Sequence, residues 1–375
     1  MYYAKETVER LKQSRQIVIY GARIVANEVA NCLMGDPYRL TVDAFLVSEK
    51  QGNPDTLMGI PVITVAEGKE VYRDGLVLVA VLERYFEEIM ETLHTEGFSN
   101  IVPLTFESDL WSDIRGNYYR DLCLKQGKKY LTLEEELEKL PDTLQAAGSA
   151  VYMAKCHVDR ALREDVSVYE WETPIQVGAA LTDNKICEIR DDTGENISVK
   201  NREYCELTAL YWIWKNDIRS RYAGLCHYRR HFDLDGMKLA KLEQSDIDVV
   251  LTIPILNFPN VRAAYLHDHC AEDWEIMLEA VRKLAPEYYD AADRLQKGVY
   301  YYAYNMFVAR KEILDDYCAW LFPILAYCGE KCGRKEDIYQ NRYIGFLAER
   351  LLSIYFLHHE ADYKIVHARK HFLAG

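Results

Sequence analysis

The chain contains 375 residues, a length that at about 150 residues per domain predicts two to three domains. Hydrophobic residues make up 49% and charged residues 28% of the sequence, a composition that is typical of soluble globular proteins and excludes an intrinsically disordered chain. The 45 basic and 59 acidic residues give a net charge of −14, which argues against a general nucleic-acid or anionic-membrane binder but allows a local basic site.

No apolar run reaches the ~18 residues that a membrane span requires, and the N-terminus lacks the pattern of a signal peptide. We therefore expect a cytoplasmic protein. Ten cysteines are scattered without a CxxC pair, and the closest two, Cys328 and Cys332, have no paired ligands nearby. We interpret the cysteines as reduced core thiols, with a metal or redox site as the alternative.

The first 110 residues alternate between apolar strands and helices. Strands are predicted at 16–20, 40–47 and 76–82, a helix follows the first strand as far as Leu33, and another helix spans 84–95. This alternation predicts a small Rossmann-like domain with a parallel sheet over residues 1–110.

The turn after the first strand only partly matches a dinucleotide-binding motif. Gly21, Arg23 and Ala26 occupy the places of G-x-G-x-x-G/A, so Arg23 replaces the glycine that lets the backbone approach a pyrophosphate. We predict an accessory or interaction module that does not need NAD(P), with a nucleotide-binding turn at Gly21 and Arg23 as the weaker interpretation. The IVIYGA segment and residues 58–63 resemble small Rossmann-like domains fused to bacterial polysaccharide-biosynthesis enzymes.

Residues 111–148 are predicted as a helical connector in which the acidic run 133–140 is a solvated helix face. A second α/β domain then spans 149–375. Strands are predicted at 150–157, 222–227, 247–253 and 304–310, and helices at 202–216, 271–284, 311–327 and 338–357.

Glu206 lies within the predicted helix 202–216, on the same face as Ala209, Leu210 and Ile213. A carboxylate on an apolar helix face is either functional or paired, so Glu206 is a candidate catalytic residue or a buried cap of loop amides.

Arginines are concentrated around the strand 222–227. Arg219, Arg221, Arg229 and Arg230 fall within twelve residues of an otherwise acidic chain. Ligands of open α/β sheets bind beyond the carboxyl ends of strands, and guanidinium groups match phosphate oxygens, which predicts a phosphate or diphosphate site at Arg229 and Arg230. The alternation of a strand would keep these two side chains from pointing the same way, and a solvated turn with salt bridges is the alternative.

Asp233 and Asp235 form a D-x-D, the pattern by which many sugar-nucleotide transferases hold Mg²⁺ or Mn²⁺. The strand end where such a motif usually stands is occupied by His227, Tyr228 and Arg229. We therefore predict that no metal is required and keep a Mg²⁺ or Mn²⁺ site at these aspartates as the alternative.

Two later segments carry further polar candidates. His267 and His269, followed by Asp273, either contact a ligand at a helix start or resemble zinc ligands that lack partners. Arg342 and Glu349 are seven residues apart on one helix face with Gly345 between them, which predicts close approach of a helix or a ligand.

These segments together resemble a bacterial domain-of-unknown-function family from capsule and O-antigen loci, regarded as glycosyltransferases of GT-A-like fold. The matching stretches cover about 60% of the chain: 175–180, 192–198, 204–216, 224–230, Tyr265 with His267 and His269, 304–307 and 345–350. The resemblance implies an α/β GT-A-like domain that transfers a sugar from a nucleotide sugar, with UDP-galactofuranose as the donor in some members. It also implies a glycan or lipid-linked glycan acceptor, and hence a place in the cytoplasm or at the inner face of the membrane beside polysaccharide machinery.

The chemistry of the residues assigns the roles. Arg229 and Arg230 would stabilise the diphosphate as charge develops on the leaving group, and a carboxylate or histidine would deprotonate the acceptor hydroxyl. The candidates for that base are Glu206, His267, Asp273 and Glu349. The candidate donor-binding residues are His157, Asp192, Asn196, His227, Arg229, Arg230, Tyr265, His269, Asn305 and Arg342. A non-catalytic nucleotide-sugar-binding or scaffold protein and an NAD-dependent oxidoreductase are the alternatives.

Overall fold

The computed structural model describes residues 3–142, 148–162 and 169–373. The chain divides into two compact units, Met1–Tyr130 and Leu131–Gly375. The predicted connector 111–148 is thus divided between the units, and its residues 143–147 lie outside the described residues. No helix in the described ranges is both long and apolar enough to cross a membrane.

The first unit is built on a six-stranded sheet with the order β3-β4-β2-β1-β5-β6, counted over its described residues. Every strand is parallel to its neighbours except β3, which is antiparallel to β4. The strands are β1 Ile17–Tyr20, β2 Ala44–Val47, β3 Thr56–Leu57, β4 Ile60–Thr64, β5 Leu76–Val79 and β6 Ile101–Pro103. The helices are α1 Lys5–Gln13, α2 Ile24–Met34, α3 Val65–Tyr72, α4 Phe86–Thr95 and α5 Asp109–Lys125.

The core of this unit follows from its sequence pattern. β1, β2 and β5 are buried along their whole length, as expected of central parallel strands. Helix α5, which was predicted to begin a connector, belongs to this unit: the Tyr38 hydroxyl donates to the Ile114 carbonyl (2.9 Å), and Asn117 Oδ1 accepts from the Tyr3 backbone (2.8 Å).

The second unit contains a nine-stranded mixed sheet, again counted over described residues, with the main order β16-β12-β15-β10-β7-β8-β9. Strands β7, β8, β9 and β10 are mutually parallel, and β15 is antiparallel to both its neighbours. Strand β11 pairs antiparallel with the end of β10 and with β17. The strands are β7 Ser149–Lys155, β8 Glu172–Gln176, β9 Ile189–Arg190, β10 Tyr222–His227, β11 Arg230–Phe232, β12 Val249–Thr252, β13 Ile255–Leu256, β14 Tyr300–Tyr301, β15 Phe307–Arg310, β16 Ile365–Ala368 and β17 Lys370–Phe372; β13 and β14 pair separately.

Helices cover this sheet, and two of them differ from the prediction. They are α6 Leu133–Leu137, α7 Asn201–Tyr204, α8 Leu207–Asn216, α9 Gly236–Gln244, α10 Val261–Asp268, α11 Ala271–Leu284, α12 Tyr289–Lys297, α13 Lys311–Cys332 and α14 Tyr343–His358. The single helix expected at 202–216 is two helices. The acidic helix α6 is not simply solvated, because Leu133 and Leu137 are buried in the same cluster as Val151 and Met153 of β7. The predicted α/β class is confirmed for both units.

Candidate active site

A cavity of about 720 Å³ opens at the carboxyl ends of three parallel strands of the second unit. Cys156 follows β7, Val177 follows β8 and His227 ends β10, and all three line the cavity. Strands β8 and β9 lie on one side of β7 and β10 lies on the other, so the strand order reverses there. Open α/β sheets bind ligands at such a reversal, and the volume suits a small-molecule ligand.

The walls of this cavity are strongly basic. Six basic and three acidic residues line it, and the acidic ones are Asp159, Glu206 and Glu336. The basic residues are Arg202, Arg229, Arg230, Arg334, Lys335 and Arg342. Considering only residues that the structure describes, Arg202, Arg229, Arg334 and Arg342 form no ion pair with a carboxylate. Such a concentration of cations without a carboxylate in ion-pair contact, in a chain of net charge −14, favours a polyanionic ligand.

Arg229 and Arg230 both line the cavity, which strand alternation alone would not allow. Strand β10 ends at His227, which pairs with Arg230 across a two-residue turn, so Arg229 lies outside either strand. The C-terminal strand supports both side chains. Arg229 Nε donates to the Leu373 carbonyl (3.2 Å), and the guanidinium groups of Arg229 and Arg230 lie 4.6 and 5.4 Å from the Phe372 ring centre. The side chains of the predicted arginine site are therefore fixed by contacts with Phe372 and Leu373.

Glu206 lies on the cavity wall, but not in the helix that the sequence predicts. Cys205 adopts φ +50°, which ends α7, and Glu206 stands at the N-cap of α8. Glu206 Oε1 accepts a hydrogen bond from Asn305 Nδ2 (2.7 Å), which links two predicted residues ninety-nine positions apart. Glu206 thus stands at the start of the helix that carries Ala209, Leu210 and Ile213 rather than inside a helix 202–216, and its catalytic role stays a prediction.

The turn at Tyr304 and Asn305 ties the site together. Both residues have left-handed backbones, with φ +69° and +53°, a conformation that non-glycine residues adopt at a cost and that clusters at functional sites. The Tyr304 amide donates to Glu349 Oε1 (2.7 Å), and the Tyr304 carbonyl accepts from His227 Nε2 (2.6 Å). The strained turn is thus fixed by side chains from β10 and α14.

His227 has a defined tautomer in this arrangement. Its Nε2 must carry the proton that is donated to the Tyr304 carbonyl, which leaves the lone pair on Nδ1. Burial lowers the pKa of His227 below its ordinary value, so the ring is neutral at neutral pH. No protein group within the described ranges bonds to Nδ1, so this atom can accept a proton or a hydrogen bond from a ligand.

Glu349 does not line the cavity but contacts the Tyr304 turn beside it. One oxygen holds the Tyr304 amide and the other lies 2.8 Å from Arg350 Nη1. Burial raises the pKa of Glu349, against the opposing effect of Arg350. With both oxygens engaged, Glu349 orients the turn rather than contacting a ligand.

Cys205 also faces the cavity, and sequence reasoning overlooked it. Its Sγ accepts a hydrogen bond from Arg342 Nε (3.2 Å), which holds that predicted arginine at the cavity wall. Burial raises the pKa of Cys205 to about 11, so it is a neutral thiol rather than a nucleophilic thiolate at neutral pH.

Six of the ten predicted donor-binding residues do not line this cavity: His157, Asp192, Asn196, Tyr265, His269 and Asn305. His157 lines a neighbouring cavity of about 290 Å³. Asp192 pairs with Arg190 (3.3 Å), and Asn196 braces its own loop by accepting from the Ser198 amide (3.2 Å). Asp192 and Asn196 therefore have local structural partners rather than a position on the cavity wall.

The segment around His267 is not part of the cavity wall either. His267 is exposed and contacts Asp268 (2.7 Å), whereas His269 stacks on Phe346 with ring centres 4.1 Å apart. Burial lowers the pKa of His269 to about 4. Tyr265 is fully buried in the core, and its ring centre lies 4.8 Å from that of His269.

Asp273 connects to the cavity through one neighbour. It is 1% exposed, and its Oδ1 lies 2.7 Å from Nζ of Lys335, which does line the cavity. Asp273 therefore positions a basic residue of the site, and its burial argues against direct contact with an acceptor.

Asp191 is a site residue that sequence reasoning missed in favour of its neighbour Asp192. Its fully buried carboxylate accepts from the amides of Gly178 (2.8 Å) and Ala179 (3.0 Å) and from the Ser198 hydroxyl. These bonds fix the loop that follows β8 beside the cavity. Two adjacent aspartates were visible in the sequence, but which of them faces inward depends on the fold.

The D-x-D aspartates have structural roles. Asp235 caps helix α9 by accepting from the Lys238 amide (2.7 Å), and Asp233 pairs with Lys238 Nζ (2.8 Å). Hydrogen bonds from His371 and Lys238 lower the pKa of Asp233. Neither aspartate is on the cavity wall.

Glu172, Cys226 and His231 form a buried cluster whose ligand atoms all lie within 4.8 Å of one another. His231 Nδ1 lies only 2.6 Å from Glu172 Oε1. Two tetrahedral zinc ligands with bonds of about 2.0–2.2 Å stand about 3.3 Å or more apart, so this contact fits a hydrogen bond better than a shared metal. The sulfur of Cys226 lies 3.4 Å from the same Glu172 oxygen.

The N-terminal turn of the first unit is closely packed. Gly21 has φ +119°, and a Cβ there would lie 2.6 Å from the Ala80 carbonyl oxygen, so only glycine fits. The Arg23 guanidinium donates to the carbonyl of Gly52. Arg23 is therefore engaged with a neighbouring loop, and the prediction that this unit does not need NAD(P) stays a prediction.

A sequence-family model described as "Domain of unknown function (DUF4422)" matches residues 153–360, more than half of the chain. The chain belongs to the DUF4422 family. The resemblance that the motifs indicated is thereby confirmed. No curated protein matches this DUF4422 chain significantly.

Among solved structures, the DUF4422 chain resembles the apo structure of WbbM, a bifunctional glycosyltransferase. The two share 29% sequence identity with a TM-score of 0.55 over 61% of this chain. The match spans 46% of the WbbM chain, less than half of its length. This likeness supports an α/β glycosyltransferase fold for the matched part.

Proposed function

We propose that this protein is a glycosyltransferase that moves a sugar from a nucleoside-diphosphate sugar to a glycan acceptor. The observation that carries the proposal is the cavity at the strand-order reversal, where Arg202, Arg229, Arg334 and Arg342 have no carboxylate partner among the described residues. A diphosphate supplies the missing negative charge with oxygens that match guanidinium geometry. The likeness to WbbM, a bifunctional glycosyltransferase, supports the same class of reaction.

The arginines would stabilise the leaving nucleoside diphosphate. Negative charge develops on the diphosphate as the bond to the sugar breaks, so fixed cations around it lower the barrier more than they tighten ground-state binding. Six basic residues line the cavity, which supports a reaction that does not require a metal. Because Asp233 and Asp235 are engaged in a cap and an ion pair, the Mg²⁺ or Mn²⁺ alternative has weaker support.

Glu206 is the best placed of the four predicted bases. It lines the cavity, and among the described residues only its Oε1 has a hydrogen-bond partner, Asn305, so the second oxygen can take the proton of an acceptor hydroxyl. His267 is exposed outside the cavity, and Asp273 and Glu349 are committed to Lys335 and the Tyr304 turn. His227 is the competing proton acceptor, because it lines the same cavity with a neutral ring whose Nε2 is already bonded.

We further propose, from the family resemblance, a UDP-linked donor, with galactofuranose as one choice, and a capsular, O-antigen or exopolysaccharide acceptor that is a glycan or a lipid-linked glycan. Action on such an acceptor would place the protein in the cytoplasm or peripherally at the inner membrane face.

The test is a thermal-shift screen of nucleotides and nucleotide sugars against the full chain, followed by an assay of donor hydrolysis without acceptor. Stabilisation by one nucleotide and its sugar conjugate, with slow release of nucleoside diphosphate, is expected. Binding without hydrolysis or transfer would favour a non-catalytic nucleotide-sugar-binding protein, and no binding by any nucleotide would refute the proposed function.

A further inference from the structure

The two-residue turn that presents Arg229 has an anchor beneath it. His231, in β11, is 3% exposed, and its Nε2 lies 3.1 Å from the carbonyl oxygen of Tyr228, the first residue of that turn. Its other nitrogen, Nδ1, lies 2.6 Å from Oε1 of Glu172 in β8. The imidazole therefore bridges the buried side of the sheet to the backbone of the arginine turn.

Both nitrogens of the imidazole have a partner. A carbonyl oxygen only accepts, so Nε2 donates to Tyr228. Nδ1 lies in hydrogen-bond contact with the Glu172 carboxyl group, 2.6 Å from Oε1. Glu172 therefore fixes the orientation of the ring, and the ring holds the carbonyl of the turn.

The surroundings of the pair are defined on each side. Cys226 in β10 lies 3.4 Å from Glu172 Oε1, the Tyr169 ring centre lies 5.2 Å from the His231 ring, and His371 in β17 pairs with His231 along the backbone. The cavity beside His231 also carries six other titratable side chains, those of Lys155, Cys156, His157, Asp159, Arg160 and Tyr228. Glu172 is the carboxylate in hydrogen-bond contact with the imidazole within the described ranges.

We propose that Glu172 and His231 are positioning residues that hold the Arg229 turn in its ligand-binding conformation. The amide of Tyr228 donates to the Ala154 carbonyl (3.1 Å) and the carbonyl of Arg229 accepts from the Leu373 amide (2.9 Å), so backbone bonds already fix part of the turn. The imidazole adds the side-chain donor to the Tyr228 carbonyl, and without it that buried acceptor loses its partner. The inference rests on the proposed function, because it assumes that the turn binds a diphosphate.

The test measures the UDP affinity of the full chain by calorimetry. His231→Leu removes the bond to the Tyr228 carbonyl and should weaken UDP binding roughly 2- to 10-fold, the effect of one lost hydrogen bond. Glu172→Gln keeps both hydrogen bonds of the imidazole, because its amide can donate to Nδ1, and should bind UDP as the natural chain does. Glu172→Leu removes the bond that orients the ring and should weaken UDP binding as His231→Leu does.

A folded His231→Leu variant with unchanged UDP affinity, or a Glu172→Leu variant that binds UDP as well as Glu172→Gln does, would overturn the inference. If His231→Leu does not fold, the comparison of the two Glu172 variants decides alone. Failure of the natural chain to bind UDP would instead count against the UDP-linked donor of the proposed function.

Discussion

Replacing Arg229 by alanine tests the diphosphate site most directly. Arg229 lines the cavity without a carboxylate partner among the described residues, and its contacts are the Leu373 carbonyl and the Phe372 ring. A hydrogen bond to a charged group contributes about 1.5–3 kcal/mol. At 1.4 kcal/mol per decade, the loss corresponds to a UDP affinity lower by about 10- to 150-fold.

The fold should survive this substitution, because the side chain lies at a turn and is only half-buried. Lysine at the same position should restore part of the affinity, since it keeps the charge and loses the planar fork. Turnover should fall further than UDP affinity, if the arginine acts on the charge that develops in the transition state.

The assay is UDP titration by calorimetry together with donor hydrolysis, with circular dichroism as the folding control. Arg262→Ala is the matched control, because Arg262 is exposed and pairs with Glu275 (2.7 Å) away from the cavity. A folded Arg229→Ala protein that binds UDP as the natural chain does would refute the assignment of this turn as the diphosphate site.

Further predictions address the base, the metal, the first unit and the response to pH. Glu206→Gln should retain the Asn305 hydrogen bond and UDP affinity while turnover falls about 10²- to 10⁴-fold; retained turnover, with loss in a His227→Gln variant, would move the base to His227. Donor hydrolysis should persist in EDTA; a loss that Mn²⁺ restores would assign a metal role after all. Calorimetric titration of NAD⁺ and NADPH should show no tight binding, and micromolar affinity for either would contradict our reading of the first unit. Burial lowers the pKa of both His269 and His367 to about 4, below the value of about 6.5 in an unfolded chain. The unfolded chain therefore binds more protons between about pH 6.5 and pH 4, so the thermal unfolding midpoint should fall as the pH drops through that window, and a constant midpoint would contradict this.

The sequence by itself located the elements whose pattern is local. The apolar strand at 222–227 and the helix at 271–284 lie where residue patterning places them, because burial on a sheet or a helix face imposes a period on neighbouring residues. The clustering of Arg229 and Arg230 at a strand end, and the family motifs, were likewise readable without a structure.

The helix predicted at 202–216 shows where local pattern fails. The residue types of Cys205 and Tyr304 do not predict a left-handed backbone, which costs free energy and persists only because the surrounding contacts enforce it. The break at Cys205 places Glu206 at the start of α8, where it accepts a hydrogen bond from Asn305.

Only the tertiary structure decided which polar residues meet. The adjacent residues Tyr304 and Asn305 are joined by hydrogen bonds to His227 and Glu349 and to Glu206, respectively, across separations of 45 to 99 residues. No spacing rule relates residues at such separations. The same holds for Asp191 and Asp192, which are chemically identical in sequence: the chain turns one carboxylate inward onto the backbone amides of Gly178 and Ala179, and leaves the other paired with Arg190. A buried carboxylate requires donors, and those donors are brought to it by strand pairing rather than by neighbours along the chain.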